Sequence, residues 1–78
     1  MSTQETVTRV IVEMLGVPEA DVKPDARMAE DLGADSLDCV EILLAIEEDL
    51  DIELNDDECA QCKTVGDWVA MVERRVAA

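Results

Sequence analysis

Residues 30–41 read EDLGADSLDCVE and set one hydroxyl, Ser36, among the carboxylates of Glu30, Asp31, Asp35, Asp38 and Glu41. A catalytic serine needs a neighbouring base and hydrogen-bond donors for the charge that develops during attack. The chain holds no histidine and no Gly-x-Ser-x-Gly elbow, and the surrounding acids oppose an oxyanion. The chain therefore reads as a non-enzyme, and Ser36 as a residue acted upon by a modifying enzyme with a basic surface. It falls at the first turn of a predicted helix with Asp35 as N-cap. There, unpaired N–H groups and the positive end of the helix dipole favour a phosphate. The plainer alternative is that Ser36 merely caps the helix.

Two other stretches could bind or react. Cys59-Ala60-Gln61-Cys62 has the spacing of half a zinc site or a redox centre. A closed zinc site needs a second ligand pair, and only Cys39 and carboxylates are on offer. A thioredoxin-like centre needs a βαβ setting that this chain lacks. No metal site is expected; Cys62 is expected to face the core and Cys59 to lie near the surface of a short helix. DLDIELNDDECA, residues 49–60, alternates acids like a calcium loop but has Leu54 where glycine belongs and Ala60 where glutamate belongs. Looser divalent-ion binding that relieves repulsion remains an expectation.

The elements that position these groups are helical. Ser2 and Glu5 have capping-box spacing, and Val7, Val10, Ile11, Met14 and Leu15 recur every three or four residues up to Gly16 and Pro18. From about Gly16 to Asp35 runs a long structured loop, pinned to a core by Val17, Val22, Met28 and Leu32. Residues 36–50, free of Gly and Pro, form the second helix. Asn55 and Glu58 open a short third helix to about Cys62. Thr64 caps the last, with Val65, Trp68, Val69, Val72 and Val76 on one stripe. The expected fold is all-α, a four-helix bundle with a long first loop and a short third helix, in one domain over residues 1–78.

The second helix has one apolar stripe too many. Cys39, Ile42, Leu43, Ile46 and Leu50 fall on one side; Leu37, Val40 and Leu44 fall roughly opposite, beside Glu41, Glu47 and Glu48. One stripe docks a helix on a small core. Burying the acids as well would cost several kcal/mol each in a chain so poor in bases. An exposed apolar strip framed by carboxylates suits a partner groove rimmed by Arg or Lys; scattered surface leucines are the bland alternative.

Composition agrees. Twenty acids against six bases give a formal charge of −14, which rules against nucleic acid or an anionic membrane as partner and favours cationic surfaces or divalent ions. No stretch has signal-peptide or membrane-span character. Three cysteines without an export signal point to reduced thiols in the cytoplasm.

EDLGADSLDCVE, in this helical and acidic setting, resembles the attachment motif of acyl carrier proteins, in which Asp-Ser-Leu marks the serine that receives 4′-phosphopantetheine. The likeness spans essentially the whole chain, including the second helix through ILLAIEEDLDIEL. It implies a monomeric carrier to which a phosphopantetheinyl transferase adds the group from coenzyme A at Ser36. Acyl intermediates would ride the arm's thiol as thioesters between synthase enzymes with basic docking surfaces. Fatty-acid biosynthesis is the first choice, a polyketide or specialised-lipid pathway the second, and an unmodified acidic adaptor the alternative of another class. The resemblance also implies partner recognition by Asp35, Leu37, Asp38, Val40, Glu41, Leu44, Glu47 and Glu48, and an acyl pocket at Ile42, Ile46, Leu50, Cys62, Val65 and Trp68. This chain departs from the pattern at that pocket. Aromatic residues usual at the positions of Met28 and Leu50 are absent, Cys62 replaces an aliphatic residue, and Trp68 a small one. Core compensation and a preference for short or unusual acyl groups both stay open.

Overall fold

The computed structural model describes residues 2–77. Four helices account for most of them: α1 (Thr3–Leu15), α2 (Ser36–Leu50), α3 (Asp56–Gln61) and α4 (Val65–Ala77). No strand occurs among the described residues; one isolated antiparallel bridge joins Arg27 to Thr64. The fold is all-α, as expected, with a long first connection and a short third helix.

Local chemistry sets the helix ends. Ser2 Oγ accepts the Glu5 N–H at 3.1 Å while the Glu5 carboxylate accepts the Ser2 N–H at 3.3 Å, the reciprocal capping box that the spacing predicts. α1 stops at Gly16, whose φ of 67° is cheap only without a Cβ and whose N–H closes onto the Val12 carbonyl at 2.9 Å. At α3 the Asn55 side chain accepts the Glu58 N–H at 3.0 Å. At α4, Thr64 Oγ1 accepts the Asp67 N–H at 3.1 Å, and the Asp67 carboxylate returns to the N–H groups of Lys63 and Thr64. Those backbone bonds hold the Asp67 carboxyl below its usual range.

α1 packs against both α2 and α4, and α3 against α2 and α4. Ile11, Ile42, Ile46, Val7, Val72 and Trp68 fill the centre, fully buried. Trp68 is 0% exposed and turned inward, which settles an orientation the sequence left open. Its indole N–H finds no hydrogen-bond partner among the described residues, an omission that costs about 1–3 kcal/mol. On α4, Met71 is buried with Val65, Trp68 and Val72, whereas Val76 is 48% exposed. The predicted stripe thus ends one turn early, because the last turn, with Arg74 and Arg75, runs out into solvent.

The loop between α1 and α2 is pinned as anticipated. Val22, Met28 and Leu32 are buried, with Ala26 and Ala34, and Val17 packs at the edge. A 3₁₀ turn covers Glu19–Asp21. Three backbone bonds stitch the loop to the start of α4: Met28 N–H to Lys63 O at 2.9 Å, Val65 N–H to Ala26 O at 3.0 Å, and Gly66 N–H to Pro24 O at 2.9 Å. A Cβ at Gly66 would sit 3.0 Å from the Pro24 carbonyl oxygen, a tight contact that favours glycine where the loop meets α4. Within the loop, Asp31 accepts from both the backbone N–H and the guanidinium of Arg27 and is held below its usual carboxylate range.

Candidate functional site

The start of α2 is fixed by two aspartates. Asp35 Oδ1 accepts the Asp38 N–H at 2.8 Å, and Asp38 Oδ2 accepts the Asp35 N–H at 3.1 Å. Asp35 therefore caps the helix, and the Ser36 hydroxyl is not needed for that purpose. Ser36 is the first helical residue and its side chain is exposed. The simpler reading of Ser36 as a cap does not hold.

The two stripes of α2 separate as their periodicity requires. Ile42, Leu43 and Ile46 are buried and Cys39 and Leu50 partly so. On the other side Leu37 is 65% exposed, Leu44 56% and Val40 52%, with Glu41 and Glu48 exposed nearby. Glu47 differs from expectation. It is half-buried, and its carboxylate accepts the Leu54 N–H at 2.7 Å, tying α2 to the segment that leads into α3. Asp38 likewise is half-buried and committed to the capping box.

Beside Ser36 lies a cavity of about 600 Å³. Ser36, Asp35, Cys39, Val40 and Leu43 of the α2 region line it, together with Met28 and Ala34 from the loop, Cys59 from α3, Cys62 and Lys63. Of the six residues expected to form an acyl pocket, only Cys62 lines this cavity. Ile42, Ile46, Val65 and Trp68 belong to the packed centre, and Leu50 lies at its edge. Cys39, Val40 and Leu43 were not expected as lining residues, although counted from Ser36 they stand at the three-, four- and seven-residue offsets of one helical face, a signal that could have found them. The loop residues could not be found that way, since they arrive through contacts distant in sequence.

The cysteines reverse the expected order. Cys59 is buried, 5% exposed, while Cys62 is half-buried. Cys59 sits in the last turn of α3 facing Met71 of α4, and Cys62 is the residue at which α3 ends. Burial, reinforced by nearby charge including Asp56 and Glu58, pushes the Cys59 thiol up to about 12. Burial, with Asp67 next, pushes Cys62 up to about 11, and burial raises Cys39 as well. All three line the cavity as neutral, weakly nucleophilic thiols. Among the described residues no three His, Cys, Asp or Glu side chains are grouped to hold a metal ion, so a zinc site lacks its ligands.

The site thus offers one exposed hydroxyl at a helix start, an adjoining cavity, and an apolar strip with acids beside it. None of these activates a nucleophile. Among the described residues no helix is long and apolar enough to cross a membrane.

Comparison with known proteins agrees. The family model described as "Phosphopantetheine attachment site" matches residues 5–72. A curated acyl carrier protein of Solidesulfovibrio magneticus is 43% identical over 75 residues, which span 96% of each chain. Both matches cover the loop, the helix start with its exposed serine, and the cavity wall. The chain belongs to the acyl carrier protein family, which bears 4′-phosphopantetheine and carries cargo without catalysing its chemistry.

Proposed function

We propose that Ser36 is the attachment residue and that the protein carries acyl intermediates of fatty-acid biosynthesis, as a monomeric single domain in the cytoplasm. The observation that carries this reading is the exposed Ser36 hydroxyl, released from capping by Asp35 and placed beside the cavity. The residues present fit the group. A phosphodiester at Ser36 meets the unpaired N–H groups of the first turn of α2, and the cavity wall of Met28, Leu43, Cys59 and Cys62 is apolar. When bound there, the group supplies a thiol on a long flexible arm, which holds acyl groups as thioesters.

The chain's own residues do the rest. Leu37, Val40 and Leu44 form the apolar contact for partner enzymes, and Glu41 and Glu48 steer basic docking surfaces toward it. Asp35 and Asp38 keep the helix start rigid while adding to the same field. Glu47 contributes by fixing the α2–α3 connection. The cavity beside Ser36 shelters the cargo, and the high thiol pKa values keep Cys39, Cys59 and Cys62 from attacking a thioester held there. Fatty-acid synthesis is preferred over a polyketide or specialised-lipid pathway because the Leu-Gly-Ala-Asp-Ser-Leu-Asp string most resembles carriers of that pathway.

Intact-mass measurement after incubation with coenzyme A and a broad-specificity phosphopantetheinyl transferase tests the assignment. One added group is expected, lost in Ser36→Ala. No addition to folded wild type points instead to an unmodified acidic adaptor; addition that survives Ser36→Ala moves the attachment residue. The acyl groups found on protein isolated from its own cell decide the pathway.

A further inference from the structure

The cysteine pair at the end of α3 does not stand alone. The Cys59 Sγ lies 3.7 Å from Met71 Sδ, and the Cys62 Sγ lies 3.9 Å from the same sulfur. Two thiols from the end of α3 and one thioether from α4 therefore converge. Sulfur packs well in apolar cores, and that alone accounts for contact. A metal ion bound to sulfur at about 2.3 Å in a trigonal plane holds its ligands about 4.0 Å apart. The Cys59–Met71 and Cys62–Met71 separations are close to that value, so neither thiol has to move far from the thioether to share an ion with it.

Donor type selects the ion. Zinc asks for four ligands of the thiolate, imidazole or carboxylate kind, and among the described residues no three His, Cys, Asp or Glu side chains are grouped to hold an ion, the nearby carboxylates included. Thiolate with thioether is the donor set of soft ions, copper(I) foremost. Access is available, because Cys59 and Cys62 both line the cavity beside Ser36 whereas Met71 lies behind them, buried. The setting is anionic as well, with Asp56, Glu58 and Asp67 close to the two thiols.

We propose that Cys59, Cys62 and Met71 form a binding site for a soft monovalent metal ion of the copper(I) class. On binding, two S–H bonds break and two metal–thiolate bonds form, while Met71 Sδ donates a lone pair. Two protons leave to solvent, and no atom changes oxidation state. Because each thiol gives up its proton on binding, uptake strengthens as pH rises. Cys59 and Cys62 share a cavity with Ser36, but Ser36 supplies no ligand, so the unmodified chain carries the complete donor set.

The test uses the full chain, unmodified and reduced, under anaerobic conditions, with copper(I) presented as its complex with bicinchoninate. Expected are transfer of one ion per chain by native mass spectrometry, release of about two protons, and a new ultraviolet thiolate-to-metal absorption. Cys62→Ala, at a half-buried position and checked for helicity, is expected to abolish the absorption. Met71→Leu, which conserves volume, is expected to weaken uptake at least about tenfold. Cys39→Ala is expected to bind as wild type does. The proposal falls if wild type fails to take copper from the chelator, or if Cys62→Ala and Met71→Leu bind undiminished. It also falls if zinc(II) at the same concentration is taken up equally well. Failure of Ser36 modification leaves each of these readings unchanged, so the two assignments fail separately.

Discussion

Burial acts on single side chains here in two opposite ways, stabilising sulfur in its neutral form and stranding an indole N–H. Cys59 keeps its proton up to about 12 and Cys62 up to about 11, against an ordinary thiol value of 9.0 in the unfolded chain. Below about pH 9 both states are protonated and the full stability is present. As pH rises further the unfolded chain ionises first, so stability is lost progressively until the folded thiols titrate too. The urea midpoint is expected to fall between about pH 8 and about pH 10.5, and to fall less in Cys59→Ala. Trp68 is the other case. Trp68→Ala is expected to cost about 3–5 kcal/mol by leaving a void. Trp68→Phe is expected to cost less than about 1.5 kcal/mol, since the lost contact is offset by removing an unpaired donor. Urea titration of the two variants separates these outcomes.

Elements in this chain are fixed at their ends by specific hydrogen bonds as well as along their lengths by the core. α2 begins with the reciprocal bonds of Asp35 and Asp38, so Asp35→Ala is expected to lower stability by about 1 kcal/mol and Asp35→Asn by less. The thermal midpoint of each variant checks this. Such caps were legible in the sequence because they join residues three apart, and those of α1, α2 and α3 fall where the spacing puts them. The two faces of α2 were legible for a similar reason: fifteen residues give a periodic pattern time to declare itself. α3 has six residues, too few turns to fix its phase, and the roles of Cys59 and Cys62 were accordingly exchanged. The cavity was hidden for a different reason. Its walls depend on bonds such as Met28 to Lys63 and Val65 to Ala26, between segments more than thirty positions apart, and no local periodicity encodes those. Glu47 is expected from the sequence as a partner-recognition acid, and its structural bond was not legible because the partner, the Leu54 N–H, is a backbone group that any residue could present.

For the molecule as a whole, a formal charge of −14 opposes compaction. The four arginines are placed as fasteners: Arg9 joins α1 to Asp49 of α2, Arg27 holds the loop through Glu30 and Asp31, and Arg74 and Arg75 reach Glu58 from α4. Each exposed pair contributes about 0–1 kcal/mol, far from cancelling the repulsion. The melting temperature is therefore expected to rise with added salt, and to rise further with Mg²⁺ or Ca²⁺ than with monovalent salt of equal ionic strength. An equal rise would show screening without ion binding. Glu41 and Glu48 form no ion pair among the described residues, which leaves the outer face of α2 with its charge available. Finally, a chain with one Trp and neither Tyr nor Phe has a single near-ultraviolet emitter, and that emitter sits in the driest part of the interior. Its fluorescence colour is a one-residue gauge of how wet the centre becomes. Whatever cargo, denaturant or ion loosens the helices must announce itself as a red shift, with no label attached and no second chromophore to confuse the reading.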